Sequence, residues 1–147
     1  GVSLMDVLQL KLCDIQGRLF ELSLQAGYDS EDFIKQFMRS KVAHDLDSEY
    51  NRMQWAGEEY LLEEFADECP QTIKGNEQYS KEVLYWAGYL YRYWHILTKE
   101  PSKDIYTQAP AKTINTNYLM FHTMTPELAI DDLKELYRQK HRPKNTK

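Results

Sequence analysis

Apolar residues recur along most of this chain at intervals of three and four, the spacing that places them on one face of an α-helix. From about Ser3 to Ala26, one stripe runs through Leu4, Leu8, Leu12, Ile15, Leu19, Leu22 and Ala26. An adjacent stripe runs through Leu10, Cys13, Gly17, Phe20 and Leu24, which predicts a first helix with a wide buried face ended by Gly27. Asp29 or Ser30 caps a second helix carrying Phe33, Ile34, Phe37, Met38 and Val42. It fades near His44–Asp47, where Asp45, Asp47 and Ser48 offer a new cap. A third helix follows through Met53, Trp55, Ala56, Tyr60, Leu61 and Phe65 and stops before Pro70. Residues 70–78 read as the principal surface loop.

The segment from about 80 to 97 differs from the others in having an apolar or aromatic residue on every face. One stripe is Val83, Trp86/Ala87, Leu90, Tyr93/Trp94 and Leu97. A second is Tyr85, Tyr89 and Ile96, interrupted by Arg92, and a third is Leu84, Gly88, Tyr91 and His95. A helix without a polar face is buried or meets a partner. Shorter elements follow: a turn or two at Ser102–Ala109, a more polar helix at Ala111–His122, and a last helix opened by Thr125-Pro126-Glu127, a capping threonine followed by proline at the first helical position. No alternating strand pattern of useful length occurs. The pattern predicts an all-α fold, a single-domain bundle of five to seven helices over residues 1–140 around a central aromatic helix, with a basic tail at 141–147.

Trp55-Ala-Gly and Trp86-Ala-Gly repeat 31 residues apart, close to a helical-repeat period. No third copy follows, so the expectation is structural: small residues let two helices approach while aromatics fill the flanks.

Composition adds limits on chemistry. With 42% hydrophobic and 28% charged residues in 147, the chain is globular in type. Residues 1–75 hold seven Lys/Arg against fifteen Asp/Glu, while residues 76–147 hold eleven against eight. An acidic body does not favour nucleic acid, because phosphate contact needs clustered basic charge. Asp6, Lys11, Asp14 and Arg18 at helical intervals argue against a signal peptide or membrane span. Cys13 and Cys69 fit neither a disulfide framework nor a metal motif, which suits a cytoplasmic setting. The histidines form no HxxxH or HExxH pair, there is no GxSxG, and the six glycines make no phosphate loop. No metal and no cofactor is expected; the run Glu58, Glu59, Glu63, Glu64, Asp67, Glu68 reads as a solvated acidic face.

Two sites remain as candidates. Arg92 sits among tyrosines and needs an anion, since an unpaired buried charge is too costly. The anion is an internal acid, such as one from the Glu58–Glu68 run, or a ligand in a pocket lined by Arg92, His95 and Tyr91 with Tyr118 and His122 as walls. Arg39-Ser-Lys-Val-Ala-His44 resembles the motif of HEPN-type ribonucleases, which are small dimeric helical bundles. That resemblance implies RNA phosphodiester cleavage, with histidine moving the proton and arginine stabilising charge. The chain departs from it in carrying Ser40 where the family has Asn, Asp or His, and we expect Arg39 and His44 not to be a catalytic pair.

The run Trp55-Ala-Gly-Glu-Glu-Tyr-Leu-Leu-Glu-Glu-Phe65 and the segment Trp86–Leu97, with Phe121-His-Thr-Met124 downstream, resemble uncharacterised small all-α bacterial proteins of toxin–antitoxin-type gene neighbourhoods. The resemblance implies no catalytic residues. It fits a non-enzymatic cytoplasmic protein–protein interaction module, antitoxin-like or regulatory, that forms a homodimer or holds a basic partner. Its expected interface is Tyr85, Tyr89 and Ile96, with Glu58, Glu59 and Glu63 as an acidic rim.

Overall fold

The computed structural model describes residues 5–49 and 51–143; Leu4 and the last four residues of the basic tail lie outside them. Eight α-helices follow in order: α1 (Val7–Gln25), α2 (Ser30–Met38), α3 (Lys41–Asp47), α4 (Glu58–Glu68), α5 (Lys81–Thr98), α6 (Ser102–Gln108), α7 (Ala111–Phe121) and α8 (Pro126–Lys140). A 3₁₀ helix, Arg52–Trp55, precedes α4, and no strand occurs among the described residues. The fold is an all-α bundle. No helix of the described residues is long and apolar enough to cross a membrane.

The bundle has one helix more than the apolar pattern predicts because α2 and α3 are separate. Arg39 caps α2, and Ser40 starts a new helix: its hydroxyl donates to the Phe37 carbonyl and accepts from the Ala43 amide. The first amides of α3 are also bonded from outside, by the Glu68 carboxylate of α4 at 2.6 and 3.1 Å. One member of the acidic run is thus a structural cap. The third predicted helix is likewise divided, with Gly57 as the α4 N-cap and Asn51, rather than Asp45, Asp47 or Ser48, capping the 3₁₀ helix. The 70–78 segment is stitched to the α1–α2 corner, since Asp29, Ser30 and Asp32 accept the amides of Glu77, Tyr79 and Ile73.

Helix α5 is central, as its pattern predicts. Ten of its 18 residues are buried, including Leu90, Tyr91, Arg92 and Trp94. It packs most extensively on α1 and also meets α6, α7 and α8. A cluster of phenylalanines fills the space among α1, α2 and α4, with Phe20 edge-on to Phe33 and Phe37 at 5.3 Å and Phe33 edge-on to Phe65 at 5.1 Å. Helix α1 corrects one expectation. Its core face is Cys13, Gln16, Gly17, Phe20 and Ser23 with Leu19, whereas Leu8, from the first predicted stripe, is 57% exposed. The wide face expected at its N-terminal half is therefore uncovered.

The crossing of α1 and α5 is unusually close. A Cβ on Gly88 would sit 2.4 Å from the Gln16 carbonyl oxygen and 2.9 Å from the Gly17 Cα. A Cβ on Gly17 would sit 2.7 Å from the Tyr85 ring. The Trp-Ala-Gly repeat therefore serves different ends in its two copies. Gly88 permits the helix contact, while Gly57 meets nothing closer than 3.7 Å and Trp55 is 77% exposed.

Two substitutions separate these roles by urea denaturation. Gly88→Ala should destabilise by about 1–3 kcal/mol despite alanine's better helix propensity, because backbone must move. Gly57→Ser supplies the capping oxygen that α4 lacks and should stabilise by about 0.2–0.5 kcal/mol. A neutral Gly88→Ala would show that the two helices do not touch at this point.

Candidate functional site

The sequence-predicted ligand residues separate into two places. Arg92, His95 and Tyr91 belong to the buried interior, while Tyr118 and His122 line a groove on the surface.

The interior residues are bonded to one another and to the fold. Arg92 is 1% exposed and donates in three directions: Nε to Gln16 Oε1 at 2.9 Å, Nη1 to Asp47 Oδ1 at 2.7 Å and Nη2 to Ser102 Oγ at 3.3 Å. Asp47 further accepts the Ser102 hydroxyl at 2.7 Å and amide at 2.9 Å. The arginine's anion is thus an internal acid, but it comes from the end of α3 and not from the Glu58–Glu68 run. The guanidinium is held by these bonds instead of lying between tyrosine faces. His95 lies between two carbonyl oxygens, Nδ1 2.6 Å from that of Glu100 and Nε2 3.1 Å from that of Asp47. The Tyr91 hydroxyl donates to the Ala109 carbonyl at 2.6 Å. No buried side-chain polar atom of the described residues lacks a partner.

A second polar clamp closes the bottom of the α5–α8 contact. Glu100 accepts from Lys134 at 2.5 Å, Gln108 at 2.5 Å and the Trp94 indole at 3.1 Å. Burial works against the charged form of Glu100, but these hydrogen bonds outweigh it and hold the carboxyl down to about 2.

The surface groove lies between α5 and the α7–α8 corner, with a volume of about 590 Å³. Tyr85, Trp86 and Tyr89 line it from α5, and Tyr118, His122, Met124 and Pro126 line it from the other side. Its rings support one another. Trp86 meets Tyr118 edge-to-face at 5.6 Å, Tyr118 stacks on His122 at 4.3 Å, and Tyr85 lies 6.0 Å from Tyr89. Helix position explains this: Trp86 sits on the flank of α5 turned away from the Gly88 contact, while the Tyr85 ring lies beside that contact, against Gly17 and Asp14 of α1. Tyr85 and Tyr93 are further tied by hydroxyl bonds to Asp14 and Glu127. Burial and those bonded carboxylates raise both phenols above the ordinary tyrosine range.

The groove's acids are Glu21 and Glu82. Neither was predicted as a rim residue; the signal available was that Glu82 lies one turn before Trp86. Glu21 lies 3.6 Å from Lys81, while Glu82 has no ion-pair partner among the described residues. The predicted acidic rim is elsewhere: Glu58, Glu59 and Glu63 lie on α4, which packs on α1, and none of them lines the groove. Of the predicted aromatic interface, Tyr85 and Tyr89 line the groove, whereas Ile96 packs against the core.

Other candidate chemistry is sparse. Arg39 and His44 are both exposed at the α2–α3 corner, beside a depression of about 40 Å³ that Lys103 also borders. The Arg39 guanidinium lies 5.5 Å from the Tyr106 ring centre. Burial pushes the thiols of Cys13, to about 12, and of Cys69 upward, away from thiolate reactivity. Among the described residues, no group of three or more His, Cys, Asp and Glu side chains is placed to hold a metal ion. Comparison with protein families, with curated proteins and with solved structures finds no match.

Removing one partner of the buried pair should be costly. Arg92→Leu leaves the Asp47 carboxylate with too few donors and should destabilise by about 3–5 kcal/mol; Arg92→Leu with Asp47→Asn should recover part of that loss in the same denaturation experiment. Glu100 predicts an acid response. Its folded value lies below the ordinary 4.5, so its contribution is complete above about 4.5 and is lost as pH falls towards 2. The thermal midpoint of Glu100→Gln should therefore be lower than that of the parent at neutral pH and fall less steeply across that window.

Proposed function

We propose that the protein is a non-enzymatic interaction module that docks a basic segment of a partner protein in the aromatic groove. The observation that carries this reading is the combination, in one groove, of Tyr85, Trp86, Tyr89 and Tyr118 with the carboxylates of Glu21 and Glu82. Aromatic side chains dominate interface affinity, and a carboxylate rim adds attraction for cations and speeds association. The interior supports the same reading, because the buried arginine is tied to Gln16, Asp47 and Ser102 of the fold. In a bacterial cytoplasm, holding a basic toxin is the antitoxin-like form of this activity, which the resemblance of the chain implies.

Self-association is a second reading, favoured by a separate observation. Val7 and Leu8 at the start of α1 are 81% and 57% exposed, and Trp55 is 77% exposed. Leu8 and Trp55 border one depression together with Leu12 and Ile15. An apolar patch of this kind is what the interface of two copies would cover.

Fluorescence titration with a lysine-rich peptide tests the leading reading. Binding should weaken as salt is raised, Trp86→Ala should reduce affinity about tenfold or more, and Glu82→Gln should reduce both affinity and salt dependence. Equal binding of an acidic peptide, or an unchanged affinity in a folded Trp86→Ala protein, would contradict it.

A further inference from the structure

We infer that a second cleft, between α7 and the C-terminal end of α8, binds a small phosphate monoester with a ring-bearing body. The cleft shares no residue with the aromatic groove, and its volume of about 590 Å³ lies in the range of small-molecule sites. Its lining sets it apart from the rest of the chain. The sequence holds 23 Asp/Glu against 18 Lys/Arg, yet no acid borders this cleft, while Lys112 of α7 and Lys140 of α8 both do. Asp104 lines the adjoining depression, in the company of Lys134 and Arg138, and not this one.

The two lysines are uncommitted. Lys134 is paired with Glu100 and Arg138 with Glu135, whereas neither Lys112 nor Lys140 forms an ion pair among the described residues. They come from the two walls of one space, so an anion between them answers both charges. Neutral donors stand beside them: the hydroxyls of Thr113, Thr116 and Tyr137 line the cleft and have no hydrogen-bond partner among the described residues.

The kind of cation decides the kind of anion. A planar carboxylate is matched by the arginine fork, which binds it through two parallel hydrogen bonds. No arginine lines this cleft, and the neighbouring Arg138 is turned to Glu135 at 2.9 Å. Lysine meets an oxyanion as a point charge with rotatable donors, which suits a tetrahedral phosphate. A phosphate monoester carries about −1.5 to −2 charges near neutral pH and three acceptor oxygens, enough for both lysines and a hydroxyl. The rest of the wall is apolar or aromatic: Pro110, Leu136 at 37% exposure, and Tyr137 packed on His141 with ring centres 4.0 Å apart. It gives the body of the ester a surface to lie on. A nucleic acid needs a row of cations along its backbone, and two lysines across one cleft serve a single phosphate.

A matched set of probes titrated into the intact chain tests this, with binding followed in ¹⁵N spectra through the amides of Thr113 and Thr116. The set is phenyl phosphate, benzoate, phenol and inorganic phosphate, with a short oligothymidylate beside them. Phenyl phosphate should bind about tenfold more tightly than each of the other small probes. Lys112→Gln and Lys140→Gln, both changes of exposed side chains, should each weaken it about tenfold, while Lys103→Gln, an exposed lysine outside the cleft, should leave it unchanged. No shift of these amides with phenyl phosphate overturns the inference, as does binding that survives when both lysines are replaced. Equal binding of benzoate overturns the choice of phosphate, and equal binding of phenol shows that the ring alone is held. Equal binding of inorganic phosphate removes the ring-bearing body from the assignment. An oligonucleotide that binds more tightly than phenyl phosphate overturns the small ligand in favour of a nucleic-acid surface.

Discussion

Much of the molecule depends on the backbone-to-backbone approach of α1 and α5 at Gly17 and Gly88. Because neither residue has a Cβ, the Gln16 side chain can donate to the Gly88 carbonyl at 2.9 Å and accept from Arg92 at the same time. Arg92 then reaches Asp47 at the end of α3 and Ser102 at the start of α6. One glutamine thus joins the two central helices to a polar network that fixes two more. Packed glycines cost conformational entropy and contribute no side chain, so the contact is worth having only for what it lets neighbouring groups reach.

The same contact shapes the surface. With Gly88 turned toward α1, Trp86 falls on the flank facing α7 and α8, and together with Tyr85 and Tyr89 it forms one wall of the groove. Gly17 also leaves space for the Tyr85 ring, which Asp14 holds by its hydroxyl. The groove is therefore built by residues that the core itself positions. A site supported in this way is arranged before any ligand arrives, which lowers the ordering cost of binding.

The central place of α5 was legible because an all-round apolar helix has few alternatives, and the cap at Thr125 follows from local chemistry alone. Other features depend on neighbours that no local pattern specifies. The first stripe of α1 has helical spacing, yet whether a helix packs over Leu8 depends on where the chain goes next. The break at Ser40 was hidden because Val42 continues the apolar period of α2, while the serine hydroxyl decides the matter. Arg92 was read as needing an anion, from an internal acid or a ligand; the acid beside it is 45 residues away in sequence and lies outside the conspicuous acidic run. For the groove, Tyr85, Tyr89, Tyr118 and His122 were each singled out, though under two separate sites. Their meeting in one place is a product of the α5–α7 packing, and Glu21 carries no signal of its own in a chain with many acids, while Glu82 is marked only by its place one turn before Trp86.

The three tryptophans occupy three different settings: Trp86 in the groove, Trp55 on the exposed apolar patch and Trp94 in the core. A ¹⁵N spectrum of the three indole N–H groups, recorded as a lysine-rich peptide is added, therefore tests the groove most directly. The account predicts that the Trp86 resonance moves to saturation while those of Trp94 and Trp55 stay in place. A shift confined to Trp55, or three unmoved resonances at saturating peptide, would contradict it.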